Sequence, residues 1–399
     1  MKMGLEFFLS NKTLQNSYLN KKIGWLCHAA SVDKNLNHSL DLAINQTSLN
    51  VVAAFGPQHG ILAEKQDNMI ESEDFIHPEY NIPVYSLYGE VRRPTIKMFD
   101  EIDVLFIDMQ DVGCRIYTFL TTLIYCLEAA HNWQKEIVVL DRPNPAGRFI
   151  EGNKLDMSFA SFVGAAPIPM RHGLTLGEAG KWYIDYKNLD VEYKVINMEN
   201  YFPGQMGIAD WPIDYSWVNP SPNIPRLSCT QVYPGTVLIE GTLLSEGRGT
   251  TLPLEMFGCP DVAPKKVIEE IYRLQPQQRD TCILRPCYFE PTFHKHVGKV
   301  CGGIQIHVDH PKYQKEKFQP YRLIACYFKA LKNLYPELNL WRNPPYEYEN
   351  EKMPIDILSG NNFLRNWVED SAAEFNDLNK FLETDEKVWG EEYKKYFIY

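Results

Sequence analysis

The residues best equipped for chemistry crowd into one stretch, 217–258, which reads WVNPSPNIPRLSCTQVYPGTVLIEGTLLSEGRGTTLPLEMFG. Glu240, Glu246 and Arg248 lie close together in it, with Gly247 and Gly249 on either side of the arginine. Proline and glycine hold the backbone at angles that regular elements avoid, so the stretch reads as a loop that places side chains rather than one that buries a face. An acid and a guanidinium set among glycines are then within reach of a ligand. An interdomain linker with a surface ion pair shares some of this composition and does little. Linkers, however, are poor in aromatic residues, and this stretch carries Trp217, Tyr233 and Phe257.

Further candidates are scattered along the chain. His59 follows a short apolar run and stands between Gln58 and Gly60, a location that suits a ligand as well as a packed histidine. In Asp141-Arg142-Pro143-Asn144-Pro145 two rigid prolines flank an amide that both donates and accepts, as a sugar hydroxyl or an acetamido group requires. Asp141 and Arg142 could equally pair to staple a turn. Arg171-His172-Gly173 precedes a helix start, whose free N–H groups and dipole favour an anion such as a carboxylate. Asp67, Glu71, Glu73 and Asp74 form an acidic cluster, with Glu64 and Asp67 nearest to Gln58, although a solvated surface has the same composition. His294-Lys295-His296 and His307-Val308-Asp309-His310 look metal-like, but His307 and Asp309 make only two ligands on one strand face with no third in register, so no metal is expected.

These residues need elements to hold them. Apolar runs at 22–27, 49–55, 82–87, 104–109 and 136–140 read as strands, and helices are expected at 4–10, 38–45 and 117–131. Such alternation implies right-handed crossovers and a mostly parallel, Rossmann-like sheet. Ligands of such sheets sit at the carboxyl ends of the strands, where polar loops 56–60, 108–113 and 141–145 converge. No GxGxxG follows a strand, so a dinucleotide is not indicated. Thr175 is expected to cap a helix running to 187, with Glu178 in the capping-box position, and 191–195 reads as the last strand. Beyond the central stretch, strands at 282–289 and 303–308 are segregated from helices at 264–274, 319–335, 355–359, 362–368 and 371–383. The expected organisation is therefore α/β: a Rossmann-like domain over 1–225 and a smaller α+β domain over 226–399.

Composition bounds the function. A chain of 399 residues, 45% hydrophobic and 23% charged, builds more than one core. A net charge of −11 without a basic cluster argues against nucleic acid or an anionic membrane surface as partner. Aromatics at 13% are enough to line a sugar cleft as well as fill cores. The nine cysteines form no CxxC pair and fit buried thiols of a reducing compartment. The N-terminus has no apolar core of signal-peptide length, and no run approaches the roughly 18 apolar residues of a membrane helix. A cytoplasmic location without membrane insertion is expected.

Taken in order, Phe-Gly-Pro-Gln-His-Gly (55–60), Ile-Asp-Met-Gln-Asp-Val-Gly (107–113), Leu-Asp-Arg-Pro-Asn-Pro (140–145), Arg-His-Gly-Leu-Thr-Leu-Gly-Glu (171–178), Pro-Ser-Pro-Asn-Ile-Pro (220–225), Tyr-Pro-Gly (233–235) and Glu-Gly-Arg-Gly-Thr (246–250) resemble the exo-β-N-acetylmuramidase glycoside hydrolase family, long known as a domain of unknown function. The resemblance runs from about 4 to 360. It implies a cleft between the two domains and removal of N-acetylmuramic acid from the non-reducing end of peptidoglycan fragments in cell-wall recycling, with no nucleotide cofactor.

Glycoside hydrolysis ordinarily uses two carboxyls, or one where the acetamido oxygen of the sugar itself attacks. On this resemblance Glu246 is expected as general acid, its pKa raised by burial, with Glu240 as second carboxylate. Gln58 and His59 orient the acetamido group or the water. Asn144 and Asn223 hold sugar hydroxyls, Arg248 and His172 face the lactyl carboxylate, and Asp67, Asp141, Arg142 and Tyr233 complete the binding residues. The family motif reads Pro-Glu-His-Gly where this chain has Gln58, and an amide has no proton to give. The alternative expectation is thus a catalytically altered, muropeptide-binding or regulatory paralogue. A peptidase or amidase is disfavoured, since neither a Gly-x-Ser-x-Gly elbow nor a zinc-ligand set is present.

Overall fold

The computed structural model describes residues 1–65, 70–207 and 209–399. The apolar runs form β1 (Lys22–Cys27), β2 (Asn50–Gly56), β4 (Pro83–Ser86), β5 (Val104–Asp108), β6 (Glu136–Leu140) and β7 (Tyr193–Ile196), joined by a two-residue β3 (Phe75–Ile76) that the sequence pattern does not announce. Their order is β3-β4-β2-β1-β5-β6-β7, parallel throughout except for β3 against β4. β5 and β6 are buried at every position, which is why they read as unbroken apolar runs rather than alternating ones.

Helices cover both faces. Trp25 and Phe106 point toward α1 (Gly4–Ser10), α2 (Lys12–Asn16) and α3 (Ser39–Gln46), meeting Phe8 and Leu40. Leu105 and Ile107 point the other way, into a core with α4 (Ile96–Asp100), α5 (Thr118–Trp133) and α6 (Leu176–Lys187). The expected capping box starts α6: Thr175 Oγ1 accepts from the Glu178 N–H at 3.3 Å while the Thr175 N–H donates to Glu178 Oε2 at 2.9 Å. From β1 the chain steps to β2 on one side, and from β5 to β6 and β7 on the other, so the switch point where α/β sheets lodge ligands lies at the carboxyl ends of β1 and β5.

The central stretch departs from the expected loop. It folds as α7 (Leu227–Thr236), a 3-10 turn (Val237–Gly241) and strand β8 (Met256–Cys259). α7 is buried from Cys229 to Thr236, so it shows no polar face and no 3.6-residue periodicity to read. Its Tyr233-Pro234-Gly235 marks a close helix crossing: a Cβ on Gly235 would lie 2.0 Å from the Pro320 carbonyl oxygen at the start of the helix Pro320–Leu334.

β8 joins β9 (Ile283–Phe289) and β10 (Cys301–His307) in an antiparallel sheet with β10 in the middle, backed by α8 (Pro264–Leu274) and α9 (Pro320–Leu334). α10 (Pro354–Ser359), α11 (Phe363–Glu369) and α12 (Phe375–Glu392) finish the chain. α12 continues past the expected end at 383 because its last turns dock on the first lobe. There Trp389 donates to the His172 carbonyl at 2.8 Å, and Tyr399 OH reaches Asp141 Oδ2 at 3.0 Å. The nine cysteines are all free and buried. No described helix is long and apolar enough to cross a membrane.

Candidate active site

A small pocket, open to solvent at its mouth, lies between the loop after β2, the start of α5, and the 221–254 and 346–347 segments. At the end of β2 the chain turns through left-handed conformations at His59 (φ 72°) and Gly60 (φ 79°). A histidine in that region is uncommon and persists only where its surroundings hold it. Here His59 Nδ1 donates to the Lys65 carbonyl at 2.8 Å, which fixes the ring's tautomer. The turn presents Gln58 to the pocket, and Thr118 Oγ1 donates to Gln58 Oε1 at 2.6 Å.

Across the pocket stands Glu240, carried by the 3-10 turn after α7. Arg248 Nη2 donates to Glu240 Oε1 at 2.8 Å, and Tyr346 OH donates to Glu240 Oε2 at 3.0 Å. Behind Arg248 lies Glu246, which is 1% exposed and does not line the pocket. Its Oε1 is 3.1 Å from Arg248 Nε and 3.2 Å from His294 Nδ1, and its Oε2 is 2.9 Å from Lys295 Nζ. Burial by itself would raise the Glu246 pKa, but Lys295, His294 and Arg248 outweigh it and hold the carboxyl well below the usual carboxylate range. A residue so placed has no proton to give near neutral pH. This is the reverse of the raised acid that burial alone suggests.

The neighbouring glycines do not open these ions to solvent. A Cβ on Gly247 would lie 2.2 Å from the Met256 carbonyl oxygen, and one on Gly249 would lie 2.7 Å from the Phe293 backbone. Both have positive φ, so their role is to let the turn press against β8 and the 292–293 loop, sealing Glu246 and Arg248 inside. The His294-Lys295-His296 motif also finds its use here: two of its side chains clamp Glu246, and His296 Nε2 meets the Leu243 carbonyl at 2.8 Å.

The second carboxyl on the pocket wall is Glu347, a residue the sequence reading did not single out. Glu347 and Tyr348 are both left-handed, with φ of 46° and 67°. Tyr88 OH donates to Glu347 Oε2 at 3.2 Å. Burial first, and then the Glu240 charge, push the Glu347 pKa up to about 7, against the pull of Tyr88, Arg92 and Arg248. The one sequence signal is an acid between two tyrosines directly after Pro344-Pro345.

Asn223 and Tyr233 join Gln58, His59, Glu240 and Arg248 on the pocket wall. Asp141, Arg142, Asn144 and His172 do not line it. Asn144 is spent on backbone, its amide donating to the Leu174 carbonyl at 3.0 Å and its Oδ1 accepting from the Ala146 N–H at 2.9 Å. Arg142 pairs with Asp108, Nη2 to Oδ2 at 2.9 Å, rather than with Asp141. Asp141 instead accepts from Thr175, the Gly177 N–H and Tyr399, and burial with the Glu178 charge pushes it up to about 6.

His172 Nε2 lies 4.0 Å from Asp111 Oδ2. Burial, then Arg115 and Arg148, lower the His172 pKa to about 3, so the ring is neutral and is no seat for an anion. Asp67 lies outside the described residues. His307 Nδ1 is 3.3 Å from Asp309 Oδ1, and among the described residues no group of three His, Cys, Asp or Glu side chains is placed to hold a metal.

A Rossmann-like lobe joined to a small antiparallel lobe, with two carboxyls, two side-chain amides and a guanidinium of the described residues around one interlobe pocket, defines a class of α/β protein suited to acid–base chemistry on a polar ligand. The sequence profile of the exo-β-N-acetylmuramidase NamZ N-terminal domain matches residues 23–228, and that of its C-terminal domain matches residues 231–399. The chain is 36% identical over 380 residues to the peptidoglycan β-N-acetylmuramidase NamZ of Bacillus subtilis (strain 168), covering 95% of this chain and 87% of that protein. It therefore belongs to the NamZ family of exo-β-N-acetylmuramidases, which are glycosidases.

A crystal structure of a DUF1343-family protein from Bacteroides fragilis NCTC 9343 superposes with a TM-score of 0.85 at 27% identity, over 100% of this chain and 98% of that one. A second DUF1343 structure from the same organism, 24% identical over 100% and 98% of the two chains, shares the fold with a TM-score of 0.73.

Proposed function

We propose that this chain is an exo-acting β-N-acetylmuramidase that releases N-acetylmuramic acid, or a closely related N-acetyl amino sugar, from the non-reducing end of peptidoglycan fragments. Its site is the pocket between lobes 1–225 and 226–399. The observation that supports this reading best is that Glu240 and Glu347 share one pocket with Gln58, His59 and Asn223. Two carboxyls in unlike environments supply the acid–base groups of a glycosidase. Gln58 and His59 orient the acetamido group or the water, while Asn223 and Tyr233 meet the sugar. Arg248 is already engaged by Glu240 and Glu246, so its part is to position Glu240 rather than to seize the lactyl carboxylate. The buried, unpaired thiols are consistent with a cytoplasmic role in cell-wall recycling.

Gln58 favours a second reading, a muropeptide-binding paralogue without turnover, because the amide cannot serve as an acid. One assay separates the two. Incubation with a chromogenic β-N-acetylmuraminide releases chromophore under the first reading, whereas tight muropeptide binding with no release establishes the second.

A further inference from the structure

Gln58, on the β2 side of the pocket, has no proton to give a leaving oxygen, and Glu246 is sealed behind Arg248. Glu240 is occupied at both oxygens, by Arg248 and by Tyr346. One carboxyl on the pocket wall is still unassigned. We propose that Glu347 is the proton donor of the reaction, held by Tyr88 beside Glu240 in the interlobe pocket. The proposal rests on the hydrolytic reading given above.

Several features of the pocket fit this role. The left-handed pair Glu347 and Tyr348 turns the chain so that the Glu347 carboxyl enters the pocket while Tyr348 stacks under the Arg92 guanidinium, 3.7 Å from its ring centroid. Tyr88 OH fixes one carboxyl oxygen at 3.2 Å. The charged and titratable groups facing Glu347 are Glu240, Tyr346, Tyr88, Tyr348, Arg92 and Arg248, with His59 on the same pocket wall. Burial and the Glu240 charge keep the proton on Glu347 up to about pH 7, the state a general acid needs, and the two arginines are too weak to reverse this.

In the step, the proton passes from Glu347 to the bridging oxygen as the C1–O bond breaks with its electron pair going to that oxygen. The leaving saccharide departs as an alcohol. The sugar's acetamido oxygen bonds to C1 on the opposite face, and water then displaces it. The proton lost by that water returns to the Glu347 carboxylate, so the enzyme is regenerated and the net reaction consumes one water.

The test compares two substrates in the full chain: a β-N-acetylmuraminide whose leaving group is a sugar, and one whose leaving group is nitrophenolate, which departs without protonation. Glu347→Gln is expected to lower kcat on the sugar-leaving substrate by about a hundredfold or more, but on the nitrophenyl substrate by no more than about tenfold. The Kd for N-acetylmuramic acid is expected to stay unchanged. Equal losses on both substrates, or turnover of both at the parent rate, overturn the assignment. Tyr88→Phe keeps the carboxyl but removes a hydrogen bond that stabilises its charged form, so the alkaline limb of kcat moves to higher pH; an unmoved limb also overturns it. A parent enzyme that releases no sugar from either substrate removes the hydrolytic reading itself, whereas an active parent with a Glu347→Gln variant that keeps the parent rate on the sugar-leaving substrate removes only the donor.

Discussion

Thr118 Oγ1 donates to Gln58 Oε1 at 2.6 Å, and this contact fixes how the amide is presented to the pocket. Because the hydroxyl gives its hydrogen to the carbonyl end, the amide nitrogen is the end left for a ligand. A carboxylate at the same position would accept the same hydrogen bond without rearrangement.

Gln58→Glu is therefore a nearly isosteric change that adds an ionisable group where none exists. Turnover of a β-N-acetylmuraminide is expected to rise about tenfold or more, and Thr118→Val in the same background is expected to forfeit part of the gain. Steady-state kinetics on the purified variants check this. A Gln58→Glu enzyme with parental turnover would show that a carboxyl at position 58 adds no proton donor to the one at Glu347.

Glu246→Gln takes the anion away from Arg248, His294 and Lys295. Removing one member of a buried ion cluster leaves its partners uncompensated, so a loss of about 3 kcal/mol in urea unfolding is expected. The alkaline limb of the pH–rate profile should stay in place, because a carboxyl held below the usual range does not titrate there. A limb displaced by this substitution would return Glu246 to the role of general acid.

Glu240→Gln removes the charge that, after burial, contributes most to raising Glu347. The Glu347 pKa then falls, and the alkaline limb of kcat moves toward acid. Binding of N-acetylmuramic acid should weaken less than kcat falls, since the change acts on proton delivery. Titrating kcat from pH 5 to pH 9 in both enzymes measures the displacement, and a shift toward alkali contradicts the proposed proximity of the two carboxyls.

Glu347 also makes stability depend on pH. Its pKa rises from 4.5 to about 7 on folding, so the native state binds the proton more tightly than the unfolded chain does. The penalty is absent below pH 4.5 and grows as pH rises toward 7, reaching about 3 kcal/mol above it. Glu347→Gln cannot ionise and escapes this penalty. The variant is expected to melt above the parent at pH 8 and close to it at pH 4. Identical differences at the two pH values would show that Glu347 ionises normally in the folded protein.

The strands, the capping box at Thr175 and Glu178, and the loops at strand ends could be read from the chain because each depends on neighbours in sequence. The same locality brought Gln58, His59, Asn223, Tyr233, Glu240 and Arg248 into consideration, and tertiary structure gathers them around one pocket. α7 escaped notice because a helix buried on every side has no polar stripe, and its Pro234 and Gly235 resemble loop punctuation until α9 is seen crossing it.

Asp141, Arg142, Asn144 and His172 have the residue types of a binding site, yet backbone groups, Asp108 and the C-terminal elements engage them away from the pocket. Sequence by itself determined the parallel α/β sheet, the order of its loops and the candidates at their tips, since hydrophobic period and turn chemistry are local. Only the tertiary structure decided which carboxyl keeps its proton. Glu246 meets Lys295 from a distant loop, and Glu347 meets Tyr88 across the lobes and the Glu240 charge from far along its own lobe, so their electrostatics follow from contacts that no spacing along the chain encodes.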